Sequence, residues 1–248
     1  MHVDPRYSAL PTRRPRLSVP EAARLSARDL RVRYDESVAL DGVDLTVGDG
    51  ESVAIMGPSG SGKSTLLQVL AGIISPDEGT VTLLTPDGAR ELGGLSDAAR
   101  SALRLREYGF VFQQGMLIPE LTATENVAMP LLLTGVGKRT AIARAASLLR
   151  ELGLAGLEGR RIGQLSGGQA QRVAIARARA MDARVVFADE PTGALDSRTA
   201  SEVMGVLLAE TAAQGRALVV VTHDEAVASR CSRAIRLRDG RIVETAAR

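Results

Sequence analysis

Gly57-Pro58-Ser59-Gly60-Ser61-Gly62-Lys63-Ser64-Thr65 follows the pattern G-x-x-x-x-G-K-[ST]. Residues of these types at this spacing suit one kind of chemistry. The glycines let successive backbone N–H groups turn inward toward phosphate oxygens, and a helix starting just after them adds its positive end. Lys63 would reach the β- and γ-phosphates, and the Ser64 hydroxyl would ligate Mg²⁺. The lysine carries weight because the chain has 29 arginines and only two lysines, Lys63 and Lys138. Downstream, the apolar run Arg184–Ala188 ends in Asp189-Glu190. An acidic pair at the carboxyl end of a parallel core strand borders the crevice where ligands bind. Asp189 is placed to hold the Mg²⁺ shell, and Glu190 to orient and deprotonate an attacking water. Leu165-Ser166-Gly167-Gly168-Gln169 is a second Gly-rich helix start, with Ser166 as N-cap and open N–H groups behind it. The chain thus offers two anion-binding helix ends and one lysine-bearing loop. Either it binds two anions, or two chains share one nucleotide between different motifs.

These residues need strands and helices in a definite order. Ser52–Met56 is a short apolar run entering the Gly57-Pro58 turn, a buried strand, and Ser64–Ile74 reads as the helix after it. Before this unit, alternation over Ser26–Tyr34 and Val38–Val47 predicts a pair of half-exposed strands, and residues 80–84 predict another. Ser96 opens a helix, Gly109–Phe112 is a strand, and residues 122–134 and 138–153 are helical. Ile142, Ala145, Leu149 and Leu152 share one helix face. Gly167–Met181 is a helix, Arg184–Ala188 a core strand, Thr199–Gln214 a helix and Ala217–Thr222 a core strand ending at His223. Residues 234–244 alternate around Asp239-Gly240, a two-residue hairpin signal. The expected fold class is α/β, a parallel core with antiparallel strands at both ends. Residues 96–180 are expected to form a helical insert. Residues 1–24, with Pro5, Pro11, Pro15 and Pro20, read as a flexible basic tail ahead of one domain spanning 25–248.

Composition narrows the function classes. With 248 residues, 45% hydrophobic and 24% charged, the chain has globular usage and can bury a sizeable core. One cysteine, Cys231, and two histidines, His2 and His223, exclude a disulfide framework and make a zinc site implausible. Uncharged runs such as Ser64–Pro76 are too short to cross a bilayer, and no apolar signal region opens the chain. A cytoplasmic protein is expected. The net charge of +2 is uneven: residues 1–33 hold 8 Arg against 3 acids, and the remainder is mildly acidic. With only Tyr7, Tyr34, Tyr108, Phe110, Phe112 and Phe187 as aromatics, a nucleic-acid surface is not expected.

The LSGGQ segment together with the phosphate loop resembles the ATP-binding-cassette (ABC) ATPases, and further family motifs follow in order over about residues 26–244. The resemblance implies a P-loop NTPase core with a parallel sheet, an N-terminal antiparallel β subdomain and a helical insert. It implies that Tyr34 stacks on adenine. It gives Gln113, in GFVFQQ, the role of sensing the γ-phosphate and Mg²⁺ and joining core to insert. Asp196, in Gly193-Ala194-Leu195-Asp196, resembles the loop that crosses to a partner subunit, and His223 resembles a histidine that contacts the γ-phosphate. ATP and Mg²⁺ are the implied cofactors, Mg²⁺ being held by Ser64, Gln113 and Asp189. A second copy of the chain would join in an ATP-dependent head-to-tail dimer. Each nucleotide would then lie between Lys63, Ser64, Asp189, Glu190 and His223 of one chain and Ser166 and Gly168 of the other.

GFVFQQ, IPELTATENVAMPL and ADEPTGALDS are similar to the lipoprotein-release, macrolide-export and cell-division type of ABC ATPase. Members of that type drive a membrane permease, which here would be a separate polypeptide, with this chain peripheral on the inner face of the membrane. Gly115 and Met116 depart from the type, in the region that resembles the permease-receiving surface. The alternative is a soluble ABC ATPase acting on DNA or ribosomes. Such proteins usually carry long coiled coils or tandem cassettes, and this chain shows neither.

Overall fold

The structure, a computed structural model, describes residues 23–35, 37–113 and 116–247. The tail thus lies outside the described residues, except for Ala23 and Arg24, which are strand residues: β1 (Ala23–Tyr34) begins there, and the Arg24 guanidinium grips both carboxylate oxygens of Asp49. β1 lies between β2 (Ser37–Gly48) and β4 (Glu78–Thr85), with β5 (Gly88–Glu91) outermost, in an antiparallel sheet ordered β2-β1-β4-β5. The apolar phase of β1 changes midway: Leu25 and Ala27 are buried, then Leu30 and Val32. Register shifts between Ala27 and Leu30, and Asp29 there takes a φ of 44°. This bulge adds a residue and keeps both halves on the core face.

The larger sheet runs β10-β9-β3-β8-β7-β6. Its strands are β3 (Ser52–Met56), β6 (Tyr108–Phe112), β7 (Val185–Asp189), β8 (Ala217–Val221), β9 (Arg233–Arg238) and β10 (Arg241–Ala247). All neighbours pair in parallel except the β9–β10 hairpin, whose turn is the expected Asp239-Gly240. β3 and β8 are buried at every position. Covering both faces explains why they read as unbroken apolar runs. Val53, Ile55, Phe187, Val219 and Val221 face one core with helix α1 (Lys63–Leu70) and the antiparallel sheet. Ala54, Met56, Val186, Ala188, Leu218 and Val220 face the other. That second core is closed by α3 (Ala123–Leu133), α4 (Lys138–Glu151), α5 (Gly167–Arg179) and α6 (Ser197–Glu210). At about 1.5–3 kcal/mol per large apolar side chain, these two layers fix the strands and hence the loops at their ends.

The sequence expectations need correction in three places. The helix after the loop stops at Leu70 instead of Ile74, because Gly72 takes a left-handed conformation that a helix cannot carry. Residues 96–180 are not one helical insert. β6 lies within them and pairs with β7 in the main sheet. α2 (Asp97–Glu107), capped by Ser96, bonds back through Arg104 to the Gly72 carbonyl and through Arg100 to Ser75. The helical insert proper is therefore α3–α5. The expected Thr199–Gln214 helix is α6 followed by a separate 3-10 turn, Ala212–Gln214. β5 and the short α7 (Glu225–Ala228) carry no clear signal in the sequence.

Candidate functional site

β3, β8, β7 and β6 are parallel neighbours, so their carboxyl ends open on one edge of the sheet. Beyond β3 the chain enters the loop 57–62. A Cβ on Gly57 would stand 2.1 Å from the Leu237 carbonyl oxygen, and one on Gly62 2.2 Å from that of Ala39. Only glycine admits this approach, and φ values of 145° and 99° demand it as well. Ser59 and Gly60 are exposed on the loop, while Ser61 is buried, with no hydrogen-bond partner for its Oγ. Lys63 Nζ donates to the Gly57 and Pro58 carbonyls, at 2.8 Å each, so it lies across its own loop. α1 starts with Gly62 as N-cap and no side chain caps it, so its first N–H groups remain for a ligand. Ser64 is exposed in the first turn, with Thr65 half-buried beside it.

Two strands away, β7 ends in Asp189. Burial raises its pKa, the Glu190 charge adds to the rise, and the Lys63 ammonium opposes it. The lysine of the loop and the carboxylate of the strand thus share one field. Glu190 follows with a φ of 46°, unusual for a side chain of this size, its N–H donating to the Val221 carbonyl at 2.9 Å. That bond fastens Glu190 to the end of β8, which supplies His223 two residues on. His223 Nδ1 stands 2.8 Å from Glu190 Oε1, and this bond raises the imidazole pKa. The His223 ring is 73% exposed, open to a ligand from above. Gln113 follows β6. A methyl on Gly193 would fall 3.0 Å from Gln113 Nε2 and 3.6 Å from Glu190 Cβ, so both side chains pack on the same turn. Gly193 carries no signal in the sequence for this role. Neither does Thr222, buried between β8 and His223, whose Oγ1 accepts from the Asp224 N–H and fixes the turn.

Ser166, Gly168 and Asp196 form a second group. Ser166 and Gln169 make a reciprocal capping box at the start of α5. A Cβ on Gly168 would lie 2.5 Å from Thr199 Cγ2, so the α5 start packs against the first turn of α6. Asp196 caps α6, accepting from the Arg198 and Thr199 N–H groups and from Thr199 Oγ1. The structure therefore brings Lys63, Asp189, Glu190, His223 and Gln113 to one sheet edge and sets Ser166, Gly168 and Asp196 together at the α5–α6 junction. Tyr34 stands at the end of β1, 50% exposed. The adjoining β2 brings Ala39 and Leu40 against Gly62, and Tyr34 pairs with Ser37 at the start of that strand.

The donors available to a cation here are oxygens, from the Ser64 hydroxyl, the Gln113 amide and the Asp189 carboxylate. That set suits a hard divalent ion with incomplete protein ligation, as when phosphates fill the remaining positions. Among the described residues no cluster of three or more His, Cys, Asp or Glu could hold a metal by itself. The arrangement can grip polyphosphate at a helix start and hold a base over it.

A sequence model of the family described as ABC transporter matches residues 40–193. The macrolide export ATP-binding/permease protein MacB 1/2 of Paracoccus denitrificans is 50% identical over 189 residues, 76% of this chain but 28% of that protein. The lipoprotein-releasing system ATP-binding protein LolD of Cereibacter sphaeroides is 46% identical over 189 residues, 76% of this chain and 83% of that protein. Among solved structures, the dimeric bacterial ABC transporter cassette MJ0796 matches with a TM-score of 0.80 at 39% identity, over 90% of this chain and 98% of that one. The same cassette in a post-hydrolysis state with ADP and Pi gives 0.79 at 38% identity, over 90% of this chain and 98% of that one.

Proposed function

This chain belongs to the ABC transporter family, and from that premise we propose that it is the ATP-hydrolysing subunit that powers a separate membrane permease. One observation carries the reading: the lysine loop, the Asp189-Glu190 pair and His223 converge at the ends of adjacent parallel strands, with Lys63 acting on Asp189 and Glu190 bonded to His223. In this proposal the loop N–H groups of residues 57–65 and Lys63 bind the phosphates. Ser64, Gln113 and Asp189 hold Mg²⁺, which neutralises phosphate charge when bound. Glu190 takes the proton of the attacking water, and His223 orients Glu190 and the γ-phosphate. Ser166, Gly168 and Asp196 serve the nucleotide of a second copy. Their position at the α5–α6 junction, grouped apart from the lysine loop, supports a site shared between chains.

Tyr34 is the proposed adenine platform. Stacking is worth about 1–3 kcal/mol per base and discriminates bases poorly. Tyr34→Ala should weaken ATP and GTP alike, by roughly tenfold, and Tyr34→Trp should bind both as the native chain does. Equilibrium titration with both nucleotides checks this, and unchanged affinity in Tyr34→Ala would put adenine elsewhere.

Partner and location follow the same reading. Among the described residues no helix is long and apolar enough to cross a membrane. A mostly apolar cleft of about 410 Å³ opens between α2, β6, α3 and α5, lined by Phe110, Phe112, Met129 and Leu133 together with Arg104 and Arg177, among others. Met116 and Leu133 are 67% and 66% exposed at its rim. An apolar cleft with exposed large side chains suits a segment of the permease, holding this subunit on the inner face of the membrane. Recovered from membranes, the native chain should carry a multi-span polypeptide with it. Leu133→Glu should reduce that yield about tenfold or more, with turnover of the isolated subunit unchanged. Full recovery with Leu133→Glu would remove the cleft from the docking surface.

A further inference from the structure

Gln171 lies in the second turn of α5 and is 3% exposed. An amide buried this deeply needs a partner. Its Nε2 donates to the carbonyl of Phe112, the last residue of β6, at 2.9 Å. Six residues on, Arg177 Nη1 donates to the Met116 carbonyl at 2.7 Å. Met116 has a φ of 42°, so the chain turns sharply at that second attachment. One helix therefore holds the chain at Phe112 and at Met116, and Gln113 follows directly on the first of these attachments. The same helix begins at Ser166 and Gly168, about one and a half turns before Gln171. Gln113 is thus joined, through the Phe112 carbonyl, to the helix that starts at Ser166 and Gly168.

We propose that Gln171 is a positioning residue: its amide N–H, bonded to the Phe112 carbonyl, sets Gln113 over the nucleotide. The proposal rests on the reading that Gln113 faces the γ-phosphate and Mg²⁺, and the test separates the two.

Gln171→Leu keeps the size and removes the donor. Gln171→Glu supplies a donor only while its carboxyl is protonated, and burial favours that neutral form. ATP turnover is measured on the full chain from pH 6 to 8.5, with Gln113→Ala alongside. Gln171→Leu should lose kcat about tenfold at every pH, the scale of a small misplacement at a reacting centre, with KM for ATP held within about twofold. Gln171→Glu should match that loss at high pH and recover toward native kcat as pH falls, beyond the native profile. A purely structural role for Gln171 would lower the folded fraction and leave the kcat of the folded chain unchanged, so kcat is referred to the folded fraction read from a thermal melt at each pH. If Gln113→Ala keeps native kcat, the reading of Gln113 fails and the inference with it. If Gln113→Ala loses kcat but both Gln171 variants keep it, the inference alone is overturned. Equal losses in Leu and Glu variants at every pH also overturn it. Should the Leu variant not fold, the Glu profile decides by itself.

Discussion

A Lys63→Ala chain is expected to bind ATP about tenfold or more weakly and to show negligible turnover. Lys63 is the only lysine near the sheet edge, and its ammonium already acts on Asp189. A charge-assisted contact to phosphate is worth about 1.5–3 kcal/mol in binding. The loss in turnover should be larger, because charge developing on the phosphoryl oxygens loses a preorganised partner. The substitution also removes two bonds to the Gly57 and Pro58 carbonyls, so loosening of the loop must be told apart from loss of charge. Alanine is the best helix former and opens α1 without strain, so the fold should persist. Far-UV circular dichroism and a thermal melt close to native would show that it does. Titration calorimetry and phosphate release then measure the effect on the site. Near-native hydrolysis by Lys63→Ala would sink the phosphate-loop assignment.

Much of this candidate site is legible in the sequence because its parts sit at ends of elements. The apolar run Ser52–Met56 breaking into glycines, and the run before Asp189-Glu190, mark strand ends by composition alone, since strands covered on both faces must be apolar throughout. What failed to show was pairing across the chain. The strand at 109–112 is readable, but its partner β7 is distant in sequence, so the sequence alone reads the stretch around it as one helical insert. The helix after the loop read too long because Ala71 and the residues near it continue the apolar pattern, whereas the backbone turns at Gly72. Within the site, residue types pointed to Glu190 and His223 separately, but their 2.8 Å contact depends on β7 and β8 being neighbours. The left-handed backbone of Glu190 carries no sequence signal, because glutamate is not a residue that announces it. Gln171 stayed silent for a related reason. A glutamine in a helix usually faces water, and only the packing of α5 on β6 brings it to the Phe112 carbonyl.

The proposed shared site makes the other large prediction. Glu190→Gln keeps the shape of the side chain and can still bond His223 Nδ1, but it cannot accept a proton from water. Hydrolysis should fall by about 10²–10⁴-fold, the usual contribution of a general base. ATP should still bind, because Lys63, Ser64 and Asp189 are untouched. The γ-phosphate then stays between the loop of one chain and the α5 start of another, and the closed dimer accumulates. A negative charge at that helix start should undo this. Ser166→Glu sets a carboxylate where the γ-phosphate of the other chain must dock and repels it. Ser166 also caps α5 through the Gln169 N–H, so a lost cap could imitate a lost dimer. Ser166→Asp separates the two effects, since aspartate caps a helix as well as serine does and still carries the charge. Light scattering behind size exclusion, with and without ATP, gives the mass directly. Glu190→Gln alone should dimerise only with ATP, and its combinations with Ser166→Glu and with Ser166→Asp should both remain monomers. If either combined variant dimerises as well as Glu190→Gln alone, the α5 start does not meet the nucleotide of a second copy. The grouping of Ser166, Gly168 and Asp196 at the α5–α6 junction would then be a packing feature of one chain.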